Sequence, residues 1–387
     1  MTDSVQFHFT EEQQQFRDYL RRFLVDHSTT TTVRDVMAST KGYDSALWRR
    51  LHNELALTGL GIPARFGGGG FGMIELGIAM EELGRALLPS PFFASCVLAA
   101  KTIELAATET QQAQWLPNIA TGETIATLAY MESADHAGEL SCRVNSSTPT
   151  PTLTGTKRFI LDGLVADQFL VVVPGDRGRS VYLVSADQPG VSRRGLATID
   201  QTRRVADVSF DNAEAIRLGD DNNSEQAINQ VFDIAYIALA NESVGGAVRL
   251  FEDTLEYTKL RRQFGRTIAS FQAIKHRMSE FLLSVELAKS AAYYAAEAHA
   301  IAGGDSSSGT SQQYNVAMLA SLAKAGTSDA YVRAAIESVQ LHGGIGFTWE
   351  NDTHLWFKRA KGSEVLFGDP TYHRARMVAK LAKQEAA

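Results

Sequence analysis

Gln340-Leu341-His342-Gly343-Gly344-Ile345-Gly346-Phe347 closes a long apolar-periodic run, and Arg261-Arg262-Gln263-Phe264-Gly265, followed by Phe271-Gln272-Ala273-Ile274, interrupts the helical pattern upstream of it. An Arg and two Gln beside helix ends can bind a pyrophosphate and its neighbouring hydroxyls, since the guanidinium is a fixed fork of donors and an amide both donates and accepts. Paired glycines let the backbone approach a phosphate, because no Cβ stands in the way. Taken alone, the same residues also describe an exposed helix end with a glycine cap. The surroundings decide.

Outward from these motifs, the chain is helical from about 226 to its end. Periodic stretches run through 227–258, 270–302 and 310–341, broken by the loop from Gly303-Gly304 to Gly309 and by the Gly343-Gly344-Ile345-Gly346 turn. Long helices with short connections predict a bundle. Before it, Thr124 to Tyr130, Thr152 to Phe159, Gln168 to Val173, Ser180 to Val184 and Ala206 to Phe210 are short, β-branched and punctuated by Gly, Pro and Asp, which predicts strands. Residues 1 to about 115 read as helices. Thr10-Glu11-Glu12-Gln13 is a capping box, and Phe16, Tyr19, Leu20, Phe23 and Leu24 follow at helical spacing. A second helix covers about Ser45 to Thr58, ended by Gly59, Gly61 and Pro63, and a third runs from Met73 to about Leu88. Thr29 to Thr32 and Ser306 to Ser308 read as loops. The expected class is α+β: an N-terminal helical domain (1–118), a middle β-barrel or sandwich domain (119–224) and a C-terminal four-helix bundle (225–387).

The 387 residues are 44% hydrophobic and 21% charged, an ordinary globular composition that can bury a large core without staples. A net charge of −7 speaks against nucleic acid as a partner. Cys96 and Cys142 are too few for a disulfide framework or a Cys-rich zinc site, and no His lies in an HExxH or CxxC setting, so no metal is expected. Gly67 to Gly70 lacks the Lys-Ser/Thr of a phosphate loop and reads as a turn; no GxSxG elbow is present. Met1 to Phe9 carries no export pattern and no uninterrupted apolar run reaches a membrane span, so a cytoplasmic protein is expected.

Together these pieces resemble the acyl-CoA dehydrogenase family over roughly residues 10 to 380. Family members carry Arg-x-x-Phe-Gly, a downstream Gln and Gln-x-x-Gly-Gly-x-Gly in this order on a C-terminal bundle. The Thr-Glu-Glu-Gln helix, the Gly-Ile-Pro-x-x-Phe-Gly-Gly region (Gly61 to Gly68) and Glu81-Glu82-Leu83-Gly84 match as well. The resemblance implies removal of two hydrogens from an acyl-CoA thioester with FAD, and an electron-transfer flavoprotein as acceptor. It assigns the ADP half of FAD to Arg261, Gln263, Phe264, Gln272, Gln340, Gly343 and Gly344, reaching a flavin that lies mainly in a neighbouring subunit.

Three departures stand out. Where the family has a Thr-Glu-Pro-x-x-Gly-Ser-Asp loop against the flavin ring, this chain has Met131-Glu132-Ser133-Ala134-Asp135-His136-Ala137-Gly138, keeping Glu132 but no hydroxyl at 131. Where it has Trp-Ile-Thr or Trp-Ile-Ser, this chain has Phe159-Ile160-Leu161. The reaction needs a carboxylate to take the α-proton while the flavin takes a β-hydride, yet the two usual base positions hold Phe367 and Ala235. Glu242, two helical turns beyond Ala235 in a small apolar setting, is the candidate base, or equally a carboxylate bonded to a neighbouring helix. Asp369-Pro370 reads as the cap of the last helix, and Glu364 lies one turn before Phe367. Some bacterial members pair two different chains, as in steroid side-chain and dicarboxylate breakdown, one keeping the ring pocket and base, the other supplying the ADP-binding set. This chain has the second set, so a subunit of a heterotetrameric enzyme is expected. A self-sufficient homo-oligomer using Glu242, or a non-catalytic assembly subunit, are the alternatives.

Overall fold

The computed structural model describes residues 9–136, 138–147, 149–219, 224–303 and 315–385. Of the loop expected from Gly303-Gly304 to Gly309, Gly303 ends a helix and the rest, with Ser306 to Ser308 inside it, lies outside the described residues, as does the chain start ahead of Phe9. Among the described residues six α-helices come first: α1 (Glu11–His27), α2 (Thr30–Ala38), α3 (Ser45–Asn53), α4 (Met73–Arg85), α5 (Ala100–Ala106), which continues a π-helix over Phe93–Ala99, and α6 (Glu109–Ala120). Eight strands follow: β1 (Ala126–Ala129), β2 (Arg143–Asn145), β3 (Thr152–Leu161), β4 (Gln168–Gly175), β5 (Gly178–Ser185), β6 (Val191–Gly195), β7 (Val205–Glu214) and β8 (Ile216–Arg217). Then come α7 (Ser224–Leu260), the short strands β9 (Arg262–Gln263) and β10 (Arg266–Thr267), α8 (Gln272–Gly303), α9 (Val316–His342), α10 (Thr353–Val365) and α11 (Pro370–Glu385). This is the helices, β-block, helices order read from the sequence.

Local chemistry sets the ends. At α1 the Thr10 hydroxyl accepts from Gln13 N while the Gln13 side chain accepts from Thr10 N, so the capping box forms in full. One expectation is corrected. Thr29 to Thr32 is not a loop: Thr29 Oγ1 accepts from Thr32 N and thereby starts α2. A threonine ahead of a helix does the work of a cap, which a run of four threonines hides.

Two compact units make up the chain. One comprises Met1–Thr32, Met73–Leu88 and Tyr236–Ala387. In it α8, α10 and α11 pack on α9, with buried alanines such as Ala292, Ala295, Ala320, Ala323 and Ala334 bringing the long helices close. α4 and α7 meet backbone to backbone at two glycines. A Cβ at Gly84 would lie 2.2 Å from the Glu242 carbonyl oxygen, and one at Gly245 1.8 Å from that of Glu81, so only glycine fits at either position. The acids of Glu81-Glu82-Leu83-Gly84 point to α1 and α8. Glu82 takes a bidentate pair from Arg21 at 2.9 and 2.6 Å, and Glu81 accepts from Arg17 and from the Tyr293 hydroxyl at 3.0 and 2.8 Å.

The other unit comprises Val33–Gly72 and Pro89–Ala235. It holds two four-stranded sheets, in the orders β1-β4-β5-β8 and β2-β3-β7-β6. β1 runs parallel to β4, with Ala126 opposite Gln168, and every other pairing is antiparallel. Leu153, Ile160, Phe169, Val171, Val184, Val208 and Phe210 form the shared core. The unpredicted strands β2, β6 and β8 are short and mostly exposed, so they lack the apolar alternation that announces a strand.

By length and composition α7 could cross a membrane, but 89% of its apolar window is buried in the fold, as a core helix requires.

Candidate functional site

The residues expected to hold the ADP half of FAD gather at one end of the first unit. α7 stops at Leu260, and β9 and β10 form a hairpin in which Gln263 faces Arg266. Its tip, Phe264-Gly265, has φ of +52° and +79°, the paired left-handed turn that a two-residue hairpin needs. Phe264 is 91% exposed there. Gln272 opens α8, and Arg266 lies over the Phe271 ring at 3.9 Å. At the end of α9, Gln340 is exposed and the chain turns at Gly343, φ +68°. A Cβ at Gly343 or Gly344 would meet nothing within 4 Å, so the backbone is open to close approach.

Buried contacts behind this surface hold its parts in register. His342 stacks on Tyr257 with 4.2 Å between ring centroids, and the Tyr257 hydroxyl donates to the His342 carbonyl. Burial lowers the His342 pKa, which keeps the stacked ring neutral. Thr254 and Ser338 share a hydroxyl hydrogen bond of 2.6 Å between α7 and α9. Arg277 pairs with Glu337 at 2.6 Å, fixing the start of α8 to the end of α9 and so bringing Gln272 and Gln340 to the same end. All seven assigned residues are therefore together, and every polar one among them faces outward.

Glu242 is elsewhere. It lies on α7 roughly 28 Å before Arg261 at a rise of ~1.5 Å per residue. It is 4% exposed and accepts from Arg359 Nη1 of α10 at 2.8 Å, in an ion pair buried on both sides. The other acids near the C-terminus also have structural partners. Glu364 pairs with Lys361, and Asp369 Oδ1 accepts from Tyr372 N at 2.7 Å, capping α11. Between them Phe367 is buried with φ +57°, ahead of Gly368 at +102°. The fully buried Lys324 ties this turn down, donating to the carbonyls of Ser363, Glu364 and Gly368 at 2.9, 3.3 and 3.4 Å. One cation thus takes acceptors that α10 leaves open at its end.

In the second unit, the Met131–Glu132 segment meets the end of β3. Arg158 N donates to the Met131 carbonyl at 2.7 Å, and Lys157 Nζ reaches both the Tyr130 carbonyl and the Glu132 carboxylate. Glu132 also accepts from the Ser141 hydroxyl and from the amides of Ser141 and Cys142. Burial alone would raise its pKa; Lys157 and these donors outweigh that and hold it at about 2. Lys157 is wholly buried, and burial pulls its pKa down. Phe159 adopts φ +56° beside a break in the β3–β7 register. Ala137 of this loop lies outside the described residues.

The first unit's outward donors, open glycine turn and exposed aromatic tip fit the ADP half of FAD. The second unit keeps an aromatic ring at Phe159 but offers no side-chain hydroxyl at Met131 or Leu161 for an isoalloxazine. The cations Lys157, Lys324 and Arg359 escaped the sequence reading, because a buried base looks like any surface one until its partner is known.

Helices, a two-sheet β-block and a long-helix bundle, in that order, are the architecture of a class of flavin-dependent dehydrogenases. The chain belongs to the acyl-CoA dehydrogenase family. The profile of the family's N-terminal domain matches residues 10–123 and that of its C-terminal domain residues 225–382. The chain is 33% identical to acyl-CoA dehydrogenase IpdE2 of Mycobacterium tuberculosis, over 93% of this chain and 94% of that one. Among solved structures it is similar to the ChsE4-ChsE5 complex from Mycobacterium tuberculosis (TM-score 0.87, 26% identity, 98% and 99% of the two chains). It is also similar to a Tcur3481-Tcur3483 steroid ACAD variant (TM-score 0.86, 27% identity, 97% and 99%). It is thus an oxidoreductase acting on the CH–CH bond of an acyl-CoA with FAD as cofactor.

Proposed function

We propose that this chain is one subunit of a heterotetrameric acyl-CoA dehydrogenase of the cytoplasm. It presents Arg261, Gln263, Phe264, Gln272, Gln340, Gly343 and Gly344 to the ADP half of an FAD whose ring pocket and catalytic base come from a homologous subunit. The bound flavin supplies hydride acceptance. The observation that carries this reading is the contrast in this chain's own polar groups: the ADP-binding set faces outward, Phe367 fills one usual base position, and Glu242 is ion-paired with Arg359. The names of the similar steroid ACAD and ChsE4-ChsE5 complex support a bulky acyl group such as a steroid side chain, and a second, different chain. An electron-transfer flavoprotein is the acceptor this reading implies. We read the domains as 1–118, 119–224 and 225–387.

Flavin and protein quantitation of the purified complex tests the proposal: one FAD per heterodimer is expected, and one FAD per copy of this chain would overturn it. A second reading, a homo-oligomer with Glu242 as base, rests on the burial of that carboxylate. It requires Glu242→Gln to abolish turnover with flavin still bound, whereas the heteromeric reading requires turnover per folded, flavin-loaded complex to persist, the lost Arg359 pair costing stability only. A third, a non-catalytic assembly subunit, requires that Arg261→Ala leave the flavin content of the complex unchanged.

A further inference from the structure

The first unit also contains a cleft of about 280 Å³ walled chiefly by Arg21, Glu82, Arg85, Arg249, Asp253 and Trp356. Arg249 lies roughly 18 Å before Arg261 along α7, at a rise of ~1.5 Å per residue, so the cleft is not the ADP-binding end.

Donors and acceptors in its wall do not balance. Glu82 is engaged by Arg21, Asp253 accepts from Arg249 Nε at 2.7 Å, and Arg85 Nη2 is held by Glu252. The donors are not used up. Trp356 is 3% exposed and its Nε1, like Arg85 Nη1, is covered and has no acceptor among the described residues. Arg249 engages Asp253 through Nε alone, its side chain is 36% exposed, and it stands 5.7 Å from the centroid of the Trp356 ring. Thr30 also borders the cleft, and it begins α2, whose first amides have no intrahelical acceptor. Formal charge is even, with three guanidinium groups against Glu82, Asp253 and Asp352. Two covered donors of the wall, Trp356 Nε1 and Arg85 Nη1, are unmatched among the described residues, and unmatched buried donors are expensive. A ligand that satisfies those two donors brings hydrogen-bond acceptors.

We propose that this cleft binds a small oxyanion, the phosphate or carboxylate group of a small molecule, with Arg249 as its principal contact. The test is calorimetric titration of the full chain, purified with any subunit it assembles with, using inorganic phosphate and citrate at constant ionic strength. Saturable binding is expected, weakened about tenfold in Arg249→Met and severalfold in Trp356→Phe, which keeps an aromatic ring but removes the indole N–H. Flavin content should stay unchanged in both variants. Tighter binding of citrate would assign the site to a carboxylate, tighter binding of phosphate to a phosphate ester. No saturable binding of either ion, or binding unaltered in both variants, overturns the proposal.

Discussion

The end of the bundle proposed to bind ADP and the acidic positions of this chain treat their polar groups in opposite ways. At the first, Arg261, Gln263, Gln340 and the Gly343 turn face solvent, and the structure behind them serves to hold them in register. At the second, Glu132 and Glu242 turn inward onto Lys157 and Arg359, with side chains 6% exposed in each case. Groups that stay solvated can bind something that arrives later at little desolvation cost. Groups neutralised inside the fold are already part of its stability. Outward polarity at one place and inward pairing at the other thus separate groups open to a ligand from groups committed to each other.

The largest test breaks the inward side. Glu132→Ala leaves the fully buried Lys157 without its carboxylate, and removing one partner of a buried pair costs about 3–5 kcal/mol. Urea denaturation should show that loss. A change under about 1 kcal/mol would place Glu132 with the merely solvated acids. The pH dependence follows in sign. The folded pKa of Glu132 lies at about 2, below its ordinary 4.5, so its contribution is complete above pH 4.5 and disappears as pH falls toward 2. In Glu132→Ala the decline of stability across that window should be shallower than in the wild type.

The outward side predicts the converse. Arg261→Ala should weaken FAD binding about ten- to a hundredfold, the effect of losing a charged hydrogen bond of ~1.5–3 kcal/mol. Its unfolding midpoint should barely move, because the side chain is exposed. Flavin retained through gel filtration and denaturation of the flavin-free protein separate the two effects. A fall in both would mean that Arg261 belongs with the structural cations.

The legibility of the molecule divides along a related line. The long helices could be read from periodicity, and α1 from its capping box, because these signals are local. The central strands β4, β5 and β7 could be read because they bury runs of apolar residues, and β3 from its β-branched residues and the turn residues around it. β6, with Ser192, Arg193 and Arg194 in its middle, could not: it is a strand because β7 pairs with it, and its own composition does not say so. The same holds at the site. Gly343 and Arg261 announce themselves as motifs, whereas the pairing of Glu242 with Arg359 joins residues far apart in sequence. Glu242 could be named as a buried acid of uncertain role, but its counter-ion needed the fold. Gly84 and Gly245 belong to this second kind, since the backbone contacts that require them exist only once α4 meets α7.

The smallest effects sharpen the comparison most. Gly343 has φ +68° and ψ −147°, a conformation essentially confined to glycine, so Gly343→Ala incurs a backbone penalty of about 1–3 kcal/mol whether or not anything binds nearby. Gly344 is free of that complication. It lies outside the left-handed region, and an added methyl would meet nothing within 4 Å, so Gly344→Ala should leave unfolding within about 0.5 kcal/mol of wild type. If a phosphate of FAD approaches this backbone closely, the same methyl stands between them, and flavin affinity should fall severalfold while stability does not. Equal flavin affinity in the two proteins would mean that the space at Gly344 is ordinary solvent. The outward face would then be defined by Arg261 and the glutamines alone.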